Sequence, residues 1–319
     1  MKYFVTGAAG FIGSNYVRHV LATTDHEVTV YDALTYAGNL STMKDMSDDP
    51  RFSFVQGNIC DPAAVETAMK GHEVVVHFAA ESHVDRSISG SDDFILTNCY
   101  GTNVIVDTAR RLEMQRVLHI GTDEVYGSVE EGSSLETDPL EPRSPYSASK
   151  AGSDLIALSY YSTHNTPVVV TRCTNNFGPY QYPEKAIPLF VTNLMDGGKI
   201  PLYGDGLNER DWLFVDDHCT GIQLVLEEGN LGEIYNIGAG NETPNRVLVD
   251  KILDIMGKDE SSVQYVEDRK GHDRRYSVNI DKITKLGWKK RRSLDEALLE
   301  TVKWYQDNRW WWEPLKKAK

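Results

Sequence analysis

Six short apolar runs punctuate the first half of the chain: Tyr3 to Thr6, Glu27 to Tyr31, Phe52 to Gln56, Val74 to Phe78, Arg116 to Ile120 and Val168 to Arg172. Between them, segments near 11–24, 62–70, 91–112 and 145–164 space their apolar residues as helices do. Strands alternating with amphipathic helices build a parallel sheet covered on both faces, so the pattern predicts an α/β, doubly wound arrangement. After about residue 174 the rhythm changes. Pro179, Pro183, Pro188 and Pro201, the turn Tyr203-Gly204-Asp205-Gly206 and isolated helices near 216–228, 245–256 and 294–308 read as a smaller C-terminal α/β substrate lobe. The strand-like run Glu233 to Ile237 is expected to return to the first sheet. Residues 1–174, with a return around 211–240, are thus expected to form one domain and 175–319 the lobe.

The first run leads into Thr6-Gly7-Ala8-Ala9-Gly10-Phe11-Ile12-Gly13, which opens a helix. Glycines let the backbone approach a pyrophosphate, and the helix N-terminus presents unpaired N–H groups and the positive end of its dipole. Asp32 closes the second strand 19 residues after Gly13. A carboxylate there accepts from both hydroxyls of a ribose and repels a 2′-phosphate, which favours NAD over NADP. The competing reading makes Asp32 a turn or helix cap. Gly57-Asn58-Ile59-Cys60-Asp61 ends the third strand, where an adenine would be gripped. Asn58 either accepts from the adenine amino group or is an ordinary turn residue.

Tyr146 and Lys150, in Tyr146-Ser147-Ala148-Ser149-Lys150, fall at i and i+4 on one helix face. An ammonium beside a phenol favours the phenolate, so Lys150 is expected to lower the Tyr146 pKa from about 10 toward the working pH. A base that removes a hydroxyl proton during hydride transfer requires that. Gly121-Thr122-Asp123-Glu124-Val125-Tyr126-Gly127 follows the fifth run, at the sheet end where ligands of open α/β folds bind. Adjacent carboxylates in a loop ordinarily face solvent. An elimination, however, needs a base for a carbon-bound proton and an acid for the departing hydroxyl. Two carboxyls held close cannot easily both ionise, which leaves one with a proton to donate. Strand geometry points neighbours to opposite faces, so joint action requires a bend near Thr122.

Composition narrows the partners. Hydrophobic residues at 40% and charged residues at 25% are globular values. A net charge of −14, from 33 Lys and Arg against 47 Asp and Glu, argues against a nucleic-acid polymer. Within that acidity, Arg269 to Arg292 holds ten Lys or Arg against Asp273 and Asp281, either an anion site or a solvated face. Cys60, Cys99, Cys173 and Cys219 lie far apart with no CxxC spacing, so no metal site is expected and the cytoplasm is the simplest compartment. Met1 leads straight into the first run and no 18-residue apolar stretch occurs, so no membrane partner is expected.

TGAAGFIGS, YDALTYAGN, HFAAESHVDRS, TDEVYG, SPYSASKA, RCTNNFGPYQYPEKAIPLF, LYGDGLNERDW and DRKGHDRRY follow in that order. Together they resemble the dTDP-glucose 4,6-dehydratases, a family of extended short-chain dehydrogenases/reductases, from about residue 1 to about 312. TDEVYG discriminates, because related sugar-nucleotide epimerases resemble the rest but lack the Asp-Glu pair. The resemblance implies a Rossmann-type domain with firmly held NAD, a lobe for the nucleotide-sugar dTDP-glucose, and a homodimer packed through the helices near 91–112 and 145–164. It implies that Tyr146, assisted by Thr122 and Lys150, takes the glucose C4 hydroxyl proton while hydride passes to NAD. Glu124 would take the C5 proton, Asp123 would protonate the C6 hydroxyl, and hydride would return to C6, giving a 4-keto-6-deoxy sugar.

For the cofactor the resemblance implies Gly7, Gly10, Phe11, Ile12, Gly13, Asp32, Asn39, Asn58, Ile59, Phe78, Ala79, Ala80, Thr97, Tyr146 and Lys150. For the substrate it implies Ser82, Thr122, Asp123, Glu124, Asn175, Lys185, Ala186, Pro201, Tyr203, Arg210, Asn245, Arg269, His272 and Tyr276. Arg210 and Arg269 suit phosphate oxygens, and Tyr203 can flank a pyrimidine. The start of the basic stretch then becomes half of a diphosphate clamp facing Arg210, and Lys289 to Arg292 a solvated turn. Asn58 stands where the family generally has Asp, Gly121 where Ser is more usual, and Ala186 where Leu is usual. Trp310-Trp311-Trp312 is expected to pack against the body of the protein. Three readings compete with the dehydratase: a dehydratase acting on UDP-glucose, a 4-epimerase or decarboxylase of the same superfamily, and an NAD-sensing scaffold without catalysis. The scaffold would be expected to lack Tyr146 or Lys150, and the epimerase to lack the Asp-Glu pair.

Overall fold

The computed structural model describes residues 1–268 and 272–317. Its strands in chain order are β1 (Lys2–Thr6), β2 (Glu27–Asp32), β3 (Phe52–Gln56), β4 (Val74–His77), β5 (Arg116–Thr122), β6 (Val168–Cys173), β7 (Asn175–Phe177), β8 (Ile200–Tyr203), β9 (Glu209–Phe214), β10 (Ile234–Ile237), β11 (Glu242–Pro244) and β12 (Val263–Val266). Seven of them form one sheet in the order β10-β6-β5-β4-β1-β2-β3, and every pairing in it is parallel. The run at Glu233 to Ile237 does return to the first sheet, as β10 beside β6.

The apolar runs work because both sheet faces are covered. Tyr3, Val5, Val74 and Val76 join a layer with helices Phe11–Thr23 and Val215–Glu228. Their alternates Phe4 and Val75 join the opposite layer, with Ile105, Ala109 and Ala157 from helices Thr102–Arg111 and Pro145–His164. Strand side chains alternate faces, so a run with no polar position has somewhere to put each of them. The expected helix near 91–112 is one continuous rod in three parts: Asp92–Phe94, a π-helical stretch Ile95–Gly101, and Thr102–Arg111. The chain runs outward from β1 to β3 and then restarts at β4, on the other side of β1. Loops at the carboxyl ends of β1 and β4 therefore diverge and open a crevice, the binding place of open α/β sheets.

The smaller sheets, β11-β9-β7 and β12-β8, surround a separate apolar cluster that includes Phe190, Trp212, Ile252 and Tyr305. The tryptophan run belongs here. Trp312 is fully buried and donates to the Tyr305 carbonyl at 2.8 Å. Trp311 donates to the Thr42 hydroxyl at 3.2 Å, tying the C-terminal helix Arg309–Lys317 to the turn Leu40–Met46 that follows β2. Trp310 is 51% exposed.

The three neighbours should therefore differ sharply under substitution. Trp312→Ala removes a fully buried ring and should cost about 3–5 kcal/mol, whereas Trp310→Ala should stay within about 0.5 kcal/mol of the parent. Denaturant midpoints check both, and equal losses would contradict the packing described.

Candidate active site

A cavity of about 340 Å³ occupies the crevice at the carboxyl edge of the large sheet. Its floor is the glycine loop. Gly7 has φ +72°, and a Cβ there would sit 2.5 Å from the Ala79 backbone, so β1 and β4 can approach only over glycine. A Cβ on Gly13 would meet Ala8 Cα at 2.7 Å. Gly10 caps helix Phe11–Thr23 without any side-chain cap bond, which leaves the first-turn N–H groups without a side-chain acceptor. This cradle, with no side chain to fill it, fits the diphosphate of a dinucleotide.

Asp32 lies on the cavity wall, and its carboxylate is held by the loops it faces. Oδ2 accepts from the Ala9 N–H at 2.9 Å and Oδ1 from the Leu34 N–H at 2.8 Å. Burial pushes its pKa up, and those two N–H groups pull it back. A Cβ at Gly38 would come 2.6 Å from Asp32 Oδ1, so glycine there leaves the carboxylate its place. Asn39 lies outside the cavity lining. Its side chain caps the turn Leu40–Met46 and its N–H donates to the Ala9 carbonyl at 3.1 Å, so it braces the glycine loop from behind. Asn58 lines the cavity, but its Oδ1 accepts from the Cys60 N–H at 2.9 Å, the bond of an ordinary turn residue. Phe11, Ile12, Ile59, Phe78, Ala79, Ala80 and Thr97 also line this wall.

At the far end Ser144 caps helix Pro145–His164 by a reciprocal bond with Ser147, which sets Tyr146 and Lys150 facing β5. Lys150 Nζ donates to the Ile120 carbonyl at 2.7 Å. The bend required near Thr122 is present. Thr122 caps a 3₁₀ turn, Asp123–Tyr126, which brings both Asp123 and Glu124 to the cavity. The Thr122 hydroxyl donates to Asp123 Oδ1 at 3.3 Å and accepts from the Glu124 N–H at 3.3 Å. Asp123 is 3% exposed. Burial first and Glu124 second push its carboxyl well above the usual range, which favours the protonated form.

The expectation for Tyr146 is corrected. Burial, and then the Glu124 carboxylate, push the phenol well above its ordinary value, with only the Thr122 hydroxyl bond pulling downward. Lys150, itself pushed down by burial, is turned onto a carbonyl and does not offset this. The protein alone thus leaves Tyr146 a neutral phenol.

The remaining residues form a second set. Ser82, Asn175 and Lys185 line the cavity, whereas Ala186, Pro201, Tyr203, Arg210, Asn245, His272 and Tyr276 do not. Arg210 and Tyr276 stand at the junction, Arg210 acting electrostatically on Asp123 and Glu124 acting on Tyr276. The Arg210 guanidinium stacks 4.3 Å over the Tyr276 ring and donates to the Asp273 carbonyl at 2.9 Å. Tyr203 is 43% exposed, edge-on to His272 with centroids 6.3 Å apart. Ala186 and Asn245 each begin a helix, and Pro201 lies in β8. Arg269 lies outside the described residues. Three later cations of the basic stretch are paired with acids. Arg274 pairs with Asp205 at 2.9 Å, Arg275 with Glu209 at 3.4 Å, and Arg292 with Glu300 at 2.8 Å. Lys289, Lys290 and Arg291 are exposed, as expected of a solvated turn, although Lys290 Nζ also reaches the Ala239 carbonyl at 2.7 Å. A Cβ at Gly121 would lie 2.7 Å from the Thr171 carbonyl oxygen and 2.9 Å from Asp154 Oδ1, leaving no room for the more usual serine as the backbone stands. Sequence reasoning missed Tyr36, Glu81, Cys173, Tyr180 and Tyr182 on the cavity wall; only tertiary folding brings these scattered positions there.

A sheet of this order, with Tyr146 and Lys150 on a helix at its carboxyl edge, is the architecture of the extended short-chain dehydrogenases/reductases. The sequence profile of the GDP-mannose 4,6 dehydratase family matches residues 4–301. A dTDP-glucose 4,6-dehydratase of Streptomyces antibioticus is 54% identical, over 99% of this chain and 96% of its own. The solved structure of DesIV, a dTDP-glucose 4,6-dehydratase from Streptomyces venezuelae with NAD bound, superposes with TM-score 0.97 at 54% identity, over 99% of this chain and 100% of that one. A UDP-glucose 4-epimerase of Thermus thermophilus, in complex with NAD, gives TM-score 0.89 at 28% identity, over 97% of this chain and 100% of that one. The chain belongs to the dTDP-glucose 4,6-dehydratase family.

Asp123 carries a stability consequence. Its folded-state pKa is raised above the ordinary 3.8, so between those values the folded chain binds the proton more tightly than the unfolded chain. Stability from this group then falls as pH rises from about 4 toward the raised value. Asp123→Asn removes the dependence. Its melting temperature should exceed the parent's at pH 8, with the gap closing as pH falls toward 4; a gap independent of pH would contradict the raised pKa of the buried carboxyl.

Proposed function

We propose that this chain converts dTDP-glucose to dTDP-4-keto-6-deoxyglucose, using NAD to oxidise C4, eliminating water across C5–C6 and returning hydrogen to C6. The observation that carries the reading is the Asp123–Glu124 pair turned onto the cavity beside Tyr146, with burial favouring the protonated form of Asp123. A 4-epimerase has no use for that pair, and the identity of 54% to the dehydratases against 28% to the epimerase supports the same choice.

Gly7, Gly10 and Gly13 would hold the NAD diphosphate at the helix N-terminus, and Asp32 a ribose. Bound there, NAD would supply the acceptor for the C4 hydrogen, the donor for C6 and a positive charge that favours the phenolate. Tyr146, as the phenolate, takes the C4 hydroxyl proton, with the Thr122 hydroxyl holding the phenol oxygen and Lys150 on the same helix face. Glu124 accepts the C5 proton that the C4 ketone acidifies. Asp123 gives its proton to the C6 hydroxyl, which leaves as water. Arg210 with Arg269, and Tyr203, would bind the diphosphate and the pyrimidine.

We also assign residues 1–174 with the return around 211–240 to the cofactor domain and 175–319 to the nucleotide-sugar lobe. The pairing of β10 with β6 and the separate apolar cluster of the later segments support that division. All four cysteines are free, which suits a cytoplasmic enzyme, and among the described residues no helix is long and apolar enough to cross a membrane.

Supplied with dTDP-glucose deuterated at C4, the enzyme should yield product carrying the label at C6 with loss of one water. Label retained at C4 with no water lost would overturn the reaction. Glu124→Gln should slow elimination by about 10²-fold or more while C4 oxidation changes far less, because an amide cannot accept the C5 proton; equal loss of both partial reactions would remove Glu124 from that role.

A homodimer is proposed on the same footing. Ile95, Leu96 and Tyr100 on the rod 92–111 and Leu155 on helix Pro145–His164 are 50%, 51%, 44% and 59% exposed, an apolar face of the kind that marks an interface. Light scattering should give twice the chain mass, and Leu96→Asp with Leu155→Asp should halve it. A parent of single-chain mass would remove the dimer.

A further inference from the structure

We propose that Arg86, Tyr36 and Glu184 form a clasp that keeps NAD in its cavity between turnovers, an inference that rests on the NAD-dependent reading above. Three chain segments meet on one wall of the cavity: the loop after β2 with Tyr36, the loop after β4 with Ser82, and the stretch after β7 with Tyr182 and Lys185. These residues line the cavity, and a second layer behind them joins the segments. The Arg86 guanidinium lies 3.9 Å over the Tyr36 ring and 3.9 Å from Glu184 Oε2. His83 Nε2 lies 3.4 Å from Glu184 Oε1. Tyr36 meets Tyr182 edge-on at 5.9 Å, and Lys185 Nζ donates to the Ser82 carbonyl at 3.0 Å.

Burial makes this layer more than a surface ornament. The Glu184 side chain is 5% exposed, while Arg86 remains 47% exposed. A carboxylate so far removed from water depends on a cation such as the Arg86 guanidinium, and an arginine stacked on an aromatic face gains a cation–π contact as well. The joints are side-chain contacts between loops, so they can part without disturbing the seven-stranded sheet. A reaction that returns its cofactor to the starting state at every turnover has no need of exchange, and a wall fastened across both domains suits retention. Arg86 and Glu184 lie outside the cavity lining, so they are positioning residues that act through Tyr36, Tyr182 and Lys185.

The test uses the full-length protein and reads NAD rather than turnover. Bound nucleotide is measured after gel filtration and acid release, and its exchange is followed with isotopically labelled NAD. Arg86→Ala and the near-isosteric Glu184→Gln should each speed exchange at least tenfold, while the nucleotide-free proteins melt within about 2 °C of the parent. Arg86→Lys, which keeps the charge and loses the planar stack, should fall between. Exchange at the parent's rate in both Arg86→Ala and Glu184→Gln overturns the clasp. A parent that neither carries nor binds NAD overturns the cofactor reading, and the clasp with it.

Discussion

The ion pair between Arg172 on β6 and Asp154 on helix Pro145–His164 fixes the relation of the parts that carry the proposed chemistry. Arg172 Nε donates to Asp154 Oδ2 at 2.8 Å, and the two side chains are 2% and 0% exposed. His119 Nε2 on β5 lies 3.2 Å from the other carboxylate oxygen, and the Arg172 guanidinium packs 4.8 Å over the ring of Tyr126, in the turn that bears Asp123 and Glu124. One charge cluster therefore joins β5, β6, the turn and the helix of Tyr146 and Lys150. Losing one partner of such a pair costs about 3–5 kcal/mol, because the other is left charged without water. The cluster also bears on Lys150. Burial pushes that ammonium toward its neutral form, and the Asp154 carboxylate one helical turn away pushes back.

The acidity of the whole chain says little about this interior. Of the cations in the basic stretch, Arg274, Arg275 and Arg292 are engaged with nearby acids. Arg210, 5% exposed, is held by backbone carbonyls and stacked on Tyr276 while facing the Asp123 side of the cavity. A net −14 at the level of composition is thus compatible with an anionic ligand in the cavity.

The large sheet was legible because its strands, apart from the half-exposed edge strand β3, are buried on both faces and declare themselves as apolar runs. The lobe was less so. β7 and β11 have three residues each, and β8 carries Pro201, so neither length nor period marks them in the sequence. Site chemistry divided in the same way. The Asp123–Glu124 pair and the need for a bend could be read from residue types, and Thr122 supplies the bend as a cap. Local spacing also put Tyr146 and Lys150 on one face, but spacing carries no information about desolvation. Burial among the helix, β5 and Glu124 is what leaves the phenol neutral. Asn39 and Asn58 look like ligand residues by position, yet both use their side-chain oxygens on adjacent backbone N–H groups, the local habit of asparagine in turns.

The proton balance of the proposed reaction places one more demand on these residues. The C5 proton leaves to Glu124 and is restored when hydrogen arrives at C6, so that base ends as it began. The C4 hydroxyl proton never returns, since the product is a ketone, and it ends on Tyr146. The departing C6 hydroxyl takes a proton that came from Asp123. After one turnover the phenol holds one proton too many and the carboxyl one too few. Thr122 stands between them, its hydroxyl donating to Asp123 Oδ1 at 3.3 Å and bonding the Tyr146 side. A hydroxyl can accept from one neighbour as it donates to the other. Burial favours the proton's return to Asp123 by raising the pKa of that carboxyl. The shift across Thr122 therefore returns the site to the state from which it started.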